Sequence, residues 1–218
     1  MIDEVRRDGA AVRPGSQSAS LSSRDRGWDG IVVEQGRFRP CDGGEVVYNE
    51  HVIGLVLGDR VRFGHSVDGR GYEGSYRPGD LVFCPGGRPV RWTVDEPWDG
   101  AFVMLRPEVV RQAADEIGLN PSRLDLVGEP RTRDPLVAQI AHALLAVLKE
   151  SMGGERLYVE SLRNALAIHL ARSYSTHSQP AARTDRGLPV MKLRRAVEAI
   201  HENLEQGLAG AARRDGEG

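Results

Sequence analysis

The feature that most constrains the fold of this chain is a change in the spacing of its apolar residues after residue 106. Before that point, short segments alternate between apolar and polar residues, which is the two-residue period of half-buried β-strands. After it, apolar residues recur every three or four positions, as they do in amphipathic helices. Residues 28–106 are therefore predicted to form strands, and residues 107–172 are predicted to form three helices. Strands followed by helices indicate an α+β fold.

The strand region contains one segment that differs from the rest. Residues 61–65 and 90–94 collect their apolar and aromatic side chains on one face. The run 52–57 is apolar on both faces, so we expect it to form a central strand. Pairs of Gly with Asp or Pro supply turn chemistry between the segments. Short strands joined by such turns are typical of a small antiparallel barrel or sandwich.

The last two predicted helices form a hairpin over residues 135–172. Asp134 is a good N-cap and Pro135 suits the first helical position. Glycines at 153–154 break the chain between the two helices. The expected main stripe of the second helix is Tyr158, Leu162, Ala165, Leu166, His169 and Leu170.

Two apolar residues of that second helix, Leu157 and Ile168, fall outside this stripe and make a separate patch. A hairpin with surplus apolar surface must cover it. Two interpretations stay open at this point: the patch packs on the barrel, or it forms a homodimer interface.

Composition limits the class of protein. The formal net charge of -2 does not suit a chain that binds nucleic acid as a whole. Two cysteines are too few for a disulfide framework, and no apolar run resembles a signal peptide or a membrane span. Residues 1–27 are poor in large apolar groups and are predicted to be a flexible arm, and 173–189 read as a polar linker. We therefore expect a soluble, cytoplasmic protein.

Two segments carry a resemblance to a known family. Residues 79–89, GDLVFCPGGRP, resemble the turn of cupin-like barrels, in which Gly-Asp, an apolar run and Pro-x-Gly follow one another. Residues 188–204, LPVMKLRRAVEAIHENL, resemble the first helix of the AraC-type DNA-binding domain. Together with the order of elements, they make the chain similar to AraC-type transcription regulators over about residues 28–206.

The resemblance implies an organisation. Residues 28–172 would be a cupin-like effector-binding and dimerisation domain, and 190–206 would begin the DNA-binding domain. The family continues there with helix-turn-helix units, whereas residues 207–218 are rich in glycine and form an aberrant tail. A frameshift, a truncated gene and a cloning boundary all remain open as its origin. The expected partners are a small-molecule effector, a second copy of the chain, and DNA only through the missing units.

The competing interpretation is a metal-dependent cupin enzyme, such as an isomerase or a dioxygenase. Its site would need several histidines and a carboxylate around one ion. Here His51 and His65 are isolated in the sequence, and Val90 stands where the second cupin motif usually has a histidine. We therefore identify no catalytic, metal-binding or DNA-binding residue, expect no cofactor, and expect no enzyme activity. A stand-alone small-molecule-binding protein is a third interpretation.

The predicted ligand site lies inside the barrel. Alternation places Phe63, His65, Tyr76 and Trp92 on faces that point inward. His65 would form a hydrogen bond with the effector and Trp92 would stack on it. Phe63 and Trp92 also suit a plain core, and a buried His65 would need a partner that the sequence does not show.

Overall fold

The computed structural model describes residues 5–6, 19–67, 69–150 and 155–176. Their strands are β1 Val5–Arg6, β2 Ala19–Ser22, β3 Ile31–Phe38, β4 Cys41–Val47, β5 His51–Val56, β6 Val61–Val67, β7 Arg70–Tyr76, β8 Leu81–Cys84, β9 Pro89–Val94, β10 Trp98–Leu105 and β11 Glu129–Thr132. Their α-helices are α1 Pro107–Glu116, α2 Pro135–Glu150 and α3 Glu155–Ser173. None of the helices in these ranges is long and apolar enough to cross a membrane.

The strands form two antiparallel sheets, in the orders β1-β4-β9-β6-β7 and β11-β8-β5-β10-β3-β2. One apolar core lies between the two sheets, in the interior of the barrel. A second core lies between the other face of the six-stranded sheet and the helices. The predicted fold class, α+β with an antiparallel barrel followed by a helical hairpin, is confirmed.

Strand β5 shows why both cores need the six-stranded sheet. It pairs with β8 on one side and β10 on the other, and all six of its residues are buried. Val52 and Val56 face the barrel core, whereas Ile53 and Leu55 face the helices. The prediction of a central strand, apolar on both faces, is therefore correct.

Helix α2 begins where the sequence predicts. Oδ1 of Asp134 accepts hydrogen bonds from the backbone N–H groups of Leu136 and Val137, at 3.1 and 3.2 Å. Its Oδ2 lies 2.6 Å from Nε2 of His169 and accepts a hydrogen bond of 3.0 Å from the Tyr174 hydroxyl. The N-cap thus also ties the start of α2 to the end of α3.

Helix α3 is turned relative to the stripe predicted for it. Its buried side chains are Val159, Leu166, Ala167, Leu170 and Ala171. Ala165, which the sequence places in the stripe, is exposed. Because α3 packs against both α1 and α2, its small residues lie at the contacts and its buried face is shifted.

Three predicted boundaries differ from the structure. Ala19–Ser22, within the predicted flexible arm, pair with β3, because an edge strand can add backbone hydrogen bonds without large apolar side chains. β11 lies in a region predicted to be helical. Tyr174 and Ser175, assigned to the linker, are buried. The helix predicted at 190–206 and the tail at 207–218 lie outside the described residues.

Candidate functional site

The interior of the barrel is lined by side chains from the inner faces of both sheets. Its buried apolar members are Phe38, Val46, Tyr48, Val52, Val56, Val61, Phe63, Val67, Tyr76, Val82, Cys84, Val90, Val94, Trp98, Phe102 and Met104. Trp92, Tyr72 and Val32 pack against them and are only partly buried. Solvent therefore reaches this core near those three side chains.

The structure brings the four predicted ligand-site residues together. Phe63 and His65 lie on the same face of β6, and His65 is opposite Trp92 on β9. The rings of His65 and Trp92 are 4.2 Å apart, and those of Phe63 and Tyr76 are 5.0 Å apart at nearly a right angle. Phe63 and Tyr76 are buried aromatic core, so the accessible part of the group is at Trp92.

His65 is buried with only half of its hydrogen-bonding capacity used. Its Nε2 lies 3.4 Å from Sγ of Cys84, whereas Nδ1 has no hydrogen-bond partner. Burial is the main cause that lowers the pKa of His65 to about 4, and the backbone of Pro130 opposes it. The imidazole is thus neutral near pH 7 and presents one unsatisfied nitrogen inside the barrel.

Trp92 spans the space between the two sheets. Its Nε1–H donates a hydrogen bond of 3.1 Å to the hydroxyl of Tyr48. Its ring reaches Gly54 on β5, where a Cβ atom would lie 3.7 Å from the indole and 3.4 Å from Phe102. Trp92 therefore crosses the barrel and comes within contact distance of β5 at Gly54, which alternation alone could not predict.

Sequence reasoning missed a buried acid on the same inner surface. Glu34 on β3 is 2% exposed, and its Oε1 accepts hydrogen bonds from Nε of Arg24 at 2.6 Å and from Oγ of Ser22 at 3.3 Å. Its Oε2 is buried without a partner. A charged residue between the inward Val32 and Phe38 was the available sequence signal. Arg24 was hidden because it lies in the predicted arm.

The Gly-Asp turn closes one side of the barrel. Asp80 is fully buried and accepts hydrogen bonds from Arg131 at 3.0 and 3.1 Å, from Arg133 at 2.5 Å and from the backbone N–H of Arg77 at 3.0 Å. Burial would raise the pKa of Asp80, but these bonds hold it below its usual value. Arg131 also donates to the Tyr72 hydroxyl at 2.9 Å. The motif thus fastens β11 over the gap between the sheets.

The described residues contain no group of three His, Cys, Asp or Glu side chains that could hold a metal ion. His51 and His65 lie on opposite sides of the six-stranded sheet. His51 precedes the inward Val52 on β5 and so points away from the barrel, whereas His65, on β6 of the other sheet, contacts Cys84 inside the barrel. Val90, at the position where the motif usually carries a histidine, is apolar core.

The two residues of the predicted dimer patch are not equivalent. Leu157 is 72% exposed, which is exceptional among the large apolar residues of the described ranges. Ile168 is only partly exposed and packs against the helix-facing core. Leu157 is therefore the part of this patch that needs an external partner to become buried.

No family model matches this chain, and no curated protein matches it. Among solved structures it is similar to the AraC-like transcriptional activator CuxR, with 15% identity and a TM-score of 0.47 over 83% of this chain and 63% of that chain. It is also similar to oxalate decarboxylase from Bacillus subtilis, with 15% identity and a TM-score of 0.30 over 44% of this chain and 30% of that one. For the EutQ protein of Clostridium difficile, the identity is 18% and the TM-score 0.29, over 35% of this chain and 56% of that one. The chain thus spans less than two thirds of the length of CuxR, and its fold class rests on its own sheets and helices.

Proposed function

We propose that this chain is the ligand-sensing and dimerisation part of an AraC-type transcription regulator, and that its effector binds inside the barrel. The observation that carries the ligand site is the buried His65, whose Nδ1 has no partner and whose ring lies 4.2 Å from that of Trp92. An unsatisfied buried polar atom costs about 1–3 kcal/mol. A ligand that completes the hydrogen bonding of His65 would remove this cost.

The side chains indicate the kind of molecule. An aromatic or apolar body would lie against Trp92, and a hydrogen-bonding group would meet Nδ1 of His65. The unpartnered Oε2 of Glu34 would accept a second hydrogen bond from a hydroxyl or amine. Phe63 and Tyr76 would act as the apolar wall behind the site.

The regulatory role is supported by the sequence resemblance at residues 188–204. Within residues 190–206, the positive charges of Lys192, Arg194 and Arg195 are offset by the negative charges of Glu198, Glu202 and Glu205. DNA binding needs clustered positive charge and a helix that enters the major groove. We therefore expect no sequence-specific retardation of the DNA upstream of its gene in gel shifts at about 0.15 M salt. Specific retardation at sub-micromolar protein would contradict this expectation.

Tryptophan fluorescence during a screen of small metabolites tests the barrel site. A compound that binds beside Trp92 should change the emission, and Trp92→Phe should abolish that change while Trp28 and Trp98 still emit. His65→Leu should weaken binding at least tenfold, because the ligand loses its hydrogen bond in a buried site. His142→Leu, at an exposed position of α2, is the matched control and should bind as the wild type does.

A compound whose binding is unchanged in both His65→Leu and Trp92→Phe would bind elsewhere, and the barrel site would then be rejected. A crystal structure with the compound outside the barrel would have the same meaning.

We further propose that the barrel binds its ligand without transforming it. The imidazole of His65 has the Cys84 thiol beside Nε2 and the Trp92 indole beside its ring, and this combination offers neither a metal site nor a paired acid and base. Mass spectrometry after prolonged incubation should recover the bound compound unchanged. Its conversion would favour the cupin enzyme instead.

A further inference from the structure

A cavity of about 420 Å³ lies outside the barrel, on the helix-facing side of the six-stranded sheet. It forms where the start of β5 and the end of β8 meet the start of α1 and residues 124–126. Small-molecule sites commonly measure about 300–1,000 Å³, so this cavity suits a small ligand.

The most informative side chain in this cavity is that of His51, which is 8% exposed. Its Nδ1 accepts a hydrogen bond of 2.9 Å from the backbone N–H of Gly86. Burial, followed by the nearby Arg111 guanidinium, lowers the pKa of His51 to about 4. The neutral ring must then carry its proton on Nε2. This N–H has no acceptor among the described residues, so it can donate a hydrogen bond to a ligand in the cavity.

Positive charge lies next to this donor. Nη1 of Arg111 donates a hydrogen bond of 3.1 Å to Oε1 of Glu108, on the first turn of α1. A guanidinium has five N–H groups, so this one pair leaves donors for a second carboxylate. His51 and Arg111 together form the donor side of the cavity.

Two carboxylates form an acidic side of the cavity, which complements the donor side. Glu50 lines the cavity, is half-buried, and forms no ion pair with the described residues. Burial is the main cause that raises the pKa of Glu50, and the charge of Glu108 adds to it, whereas a backbone hydrogen bond and the charge of Arg24 oppose it. A cation beside these two carboxylates would relieve both effects.

We propose that this cavity is a second ligand site, separate from the barrel, for a small zwitterion of the free α-amino acid type. Its carboxylate would accept hydrogen bonds from Nε2 of His51 and from Arg111, and its ammonium group would lie between Glu50 and Glu108. A simple anion would bind only the donor side, and a simple cation would bind only the two carboxylates. The inference does not depend on the proposed function.

The site adjoins the end of α3. The carbonyl of Asp125 accepts a hydrogen bond of 2.9 Å from the N–H of Thr176, and the N–H of Val127 donates one of 2.7 Å to Tyr174. A ligand that holds residues 124–126 in place would therefore stabilise residues 174–176. Hydrogen exchange at the amide of Thr176 should slow when the site is filled.

Titration of the whole ¹⁵N-labelled chain with each protein amino acid, followed at the imidazole nitrogens of His51 by NMR, tests the proposal. At least one amino acid should shift the Nε2 signal at millimolar concentration. Its N-acetyl and carboxamide derivatives should each bind at least tenfold more weakly, because each lacks one of the two charges.

Substitutions test the donor side and the acidic side of the cavity separately. Arg111→Gln and Glu50→Gln should each weaken binding at least tenfold, whereas the matched controls Arg123→Gln and Glu116→Gln, at exposed positions, should not. His65→Leu should also leave it unchanged. The proposal is overturned if no amino acid shifts His51, or if binding survives in both cavity variants. If His65→Leu alone abolishes binding, the amino acid binds inside the barrel. The second site is then rejected, whereas the proposed function stands.

Discussion

The six-stranded sheet has two faces that are packed with different chemistry. The helix-facing core is dominated by aliphatic side chains, such as Leu55, Leu144 and Leu166, that fit against one another. The barrel-facing core is rich in aromatic rings and includes the polar groups of His65 and Glu34. Both of those polar groups keep a buried atom without a hydrogen-bond partner.

This difference shows that the two faces of one sheet can serve two purposes. Aliphatic packing favours stability, because each buried side chain gains from exclusion of water and from close contact. Unsatisfied polar atoms in an aromatic interior lower stability, so each of them needs an explanation, and the proposed ligand supplies one. The helix-facing core thus supports the fold, and the barrel core holds the candidate site.

Acidification should give the largest effect, because each face has one buried histidine. Burial is the main reason that the pKa values of His51 and His65 fall to about 4 from 6.5. Between those values the unfolded chain binds more protons than the folded chain, so the free energy of unfolding falls as the pH falls. We expect a loss of up to about 3 kcal/mol for each histidine by pH ~4, measured by urea unfolding at successive pH values.

The raised pKa of Glu50 acts in the opposite direction at the acidic end of this range. His65→Leu should remove the contribution of the barrel face and leave that of His51. An unfolding free energy that stays constant between pH 7 and 4 would contradict the neutral state of both rings.

Truncation in the helix-facing core should give the next largest effect. Leu144 on α2 is completely buried, and Leu144→Ala should lower the free energy of unfolding by about 2–5 kcal/mol, through lost burial and the cavity left behind. Leu157→Ala makes the same chemical change at a residue that is 72% exposed and should cost less than about 0.5 kcal/mol. Equal effects in the two variants would show that the helices do not pack as described.

His65→Leu should have a much smaller effect on stability, although the residue is as deeply buried. The substitution removes an unsatisfied nitrogen and keeps an apolar group of similar size, so at pH 7 we expect a change within about 1 kcal/mol of the wild type. Thermal unfolding compares it with Leu144→Ala. A loss as large as that of Leu144→Ala would mean that His65 is a structural residue and would weaken the barrel site.

Leu157→Glu should have the smallest effect on folding stability and a large effect on dimerisation. The charge should weaken the proposed dimer at least tenfold in analytical ultracentrifugation. At concentrations where the chain is monomeric it should leave the unfolding transition unchanged, because the side chain is exposed in the single chain. Ile168→Glu is the poorer test, since Ile168 also packs against the helix-facing core. A wild-type chain that is monomeric at tens of micromolar would eliminate the interface.

Local pattern predicted those parts of the fold and site that depend on neighbours in the sequence. The apolar run at 52–57 predicted a central strand, and Asp134 predicted the start of α2. Alternation predicted that Phe63 and His65 share an inward face. It could not identify Cys84 as the neighbour of His65, because that contact joins residues on two different sheets.

Although it did not predict β2 or β11, the sequence by itself therefore determined that a run of strands precedes the helices and that the barrel side chains point inward. These follow from spacing, which is a property of each segment alone. Only the tertiary structure decided that Arg24 meets Glu34, that Asp80 holds β11, and that His51 faces a cavity beside α1. Each of these depends on which distant segments fold against one another, and burial, ion pairing and unsatisfied hydrogen bonding arise only from that arrangement.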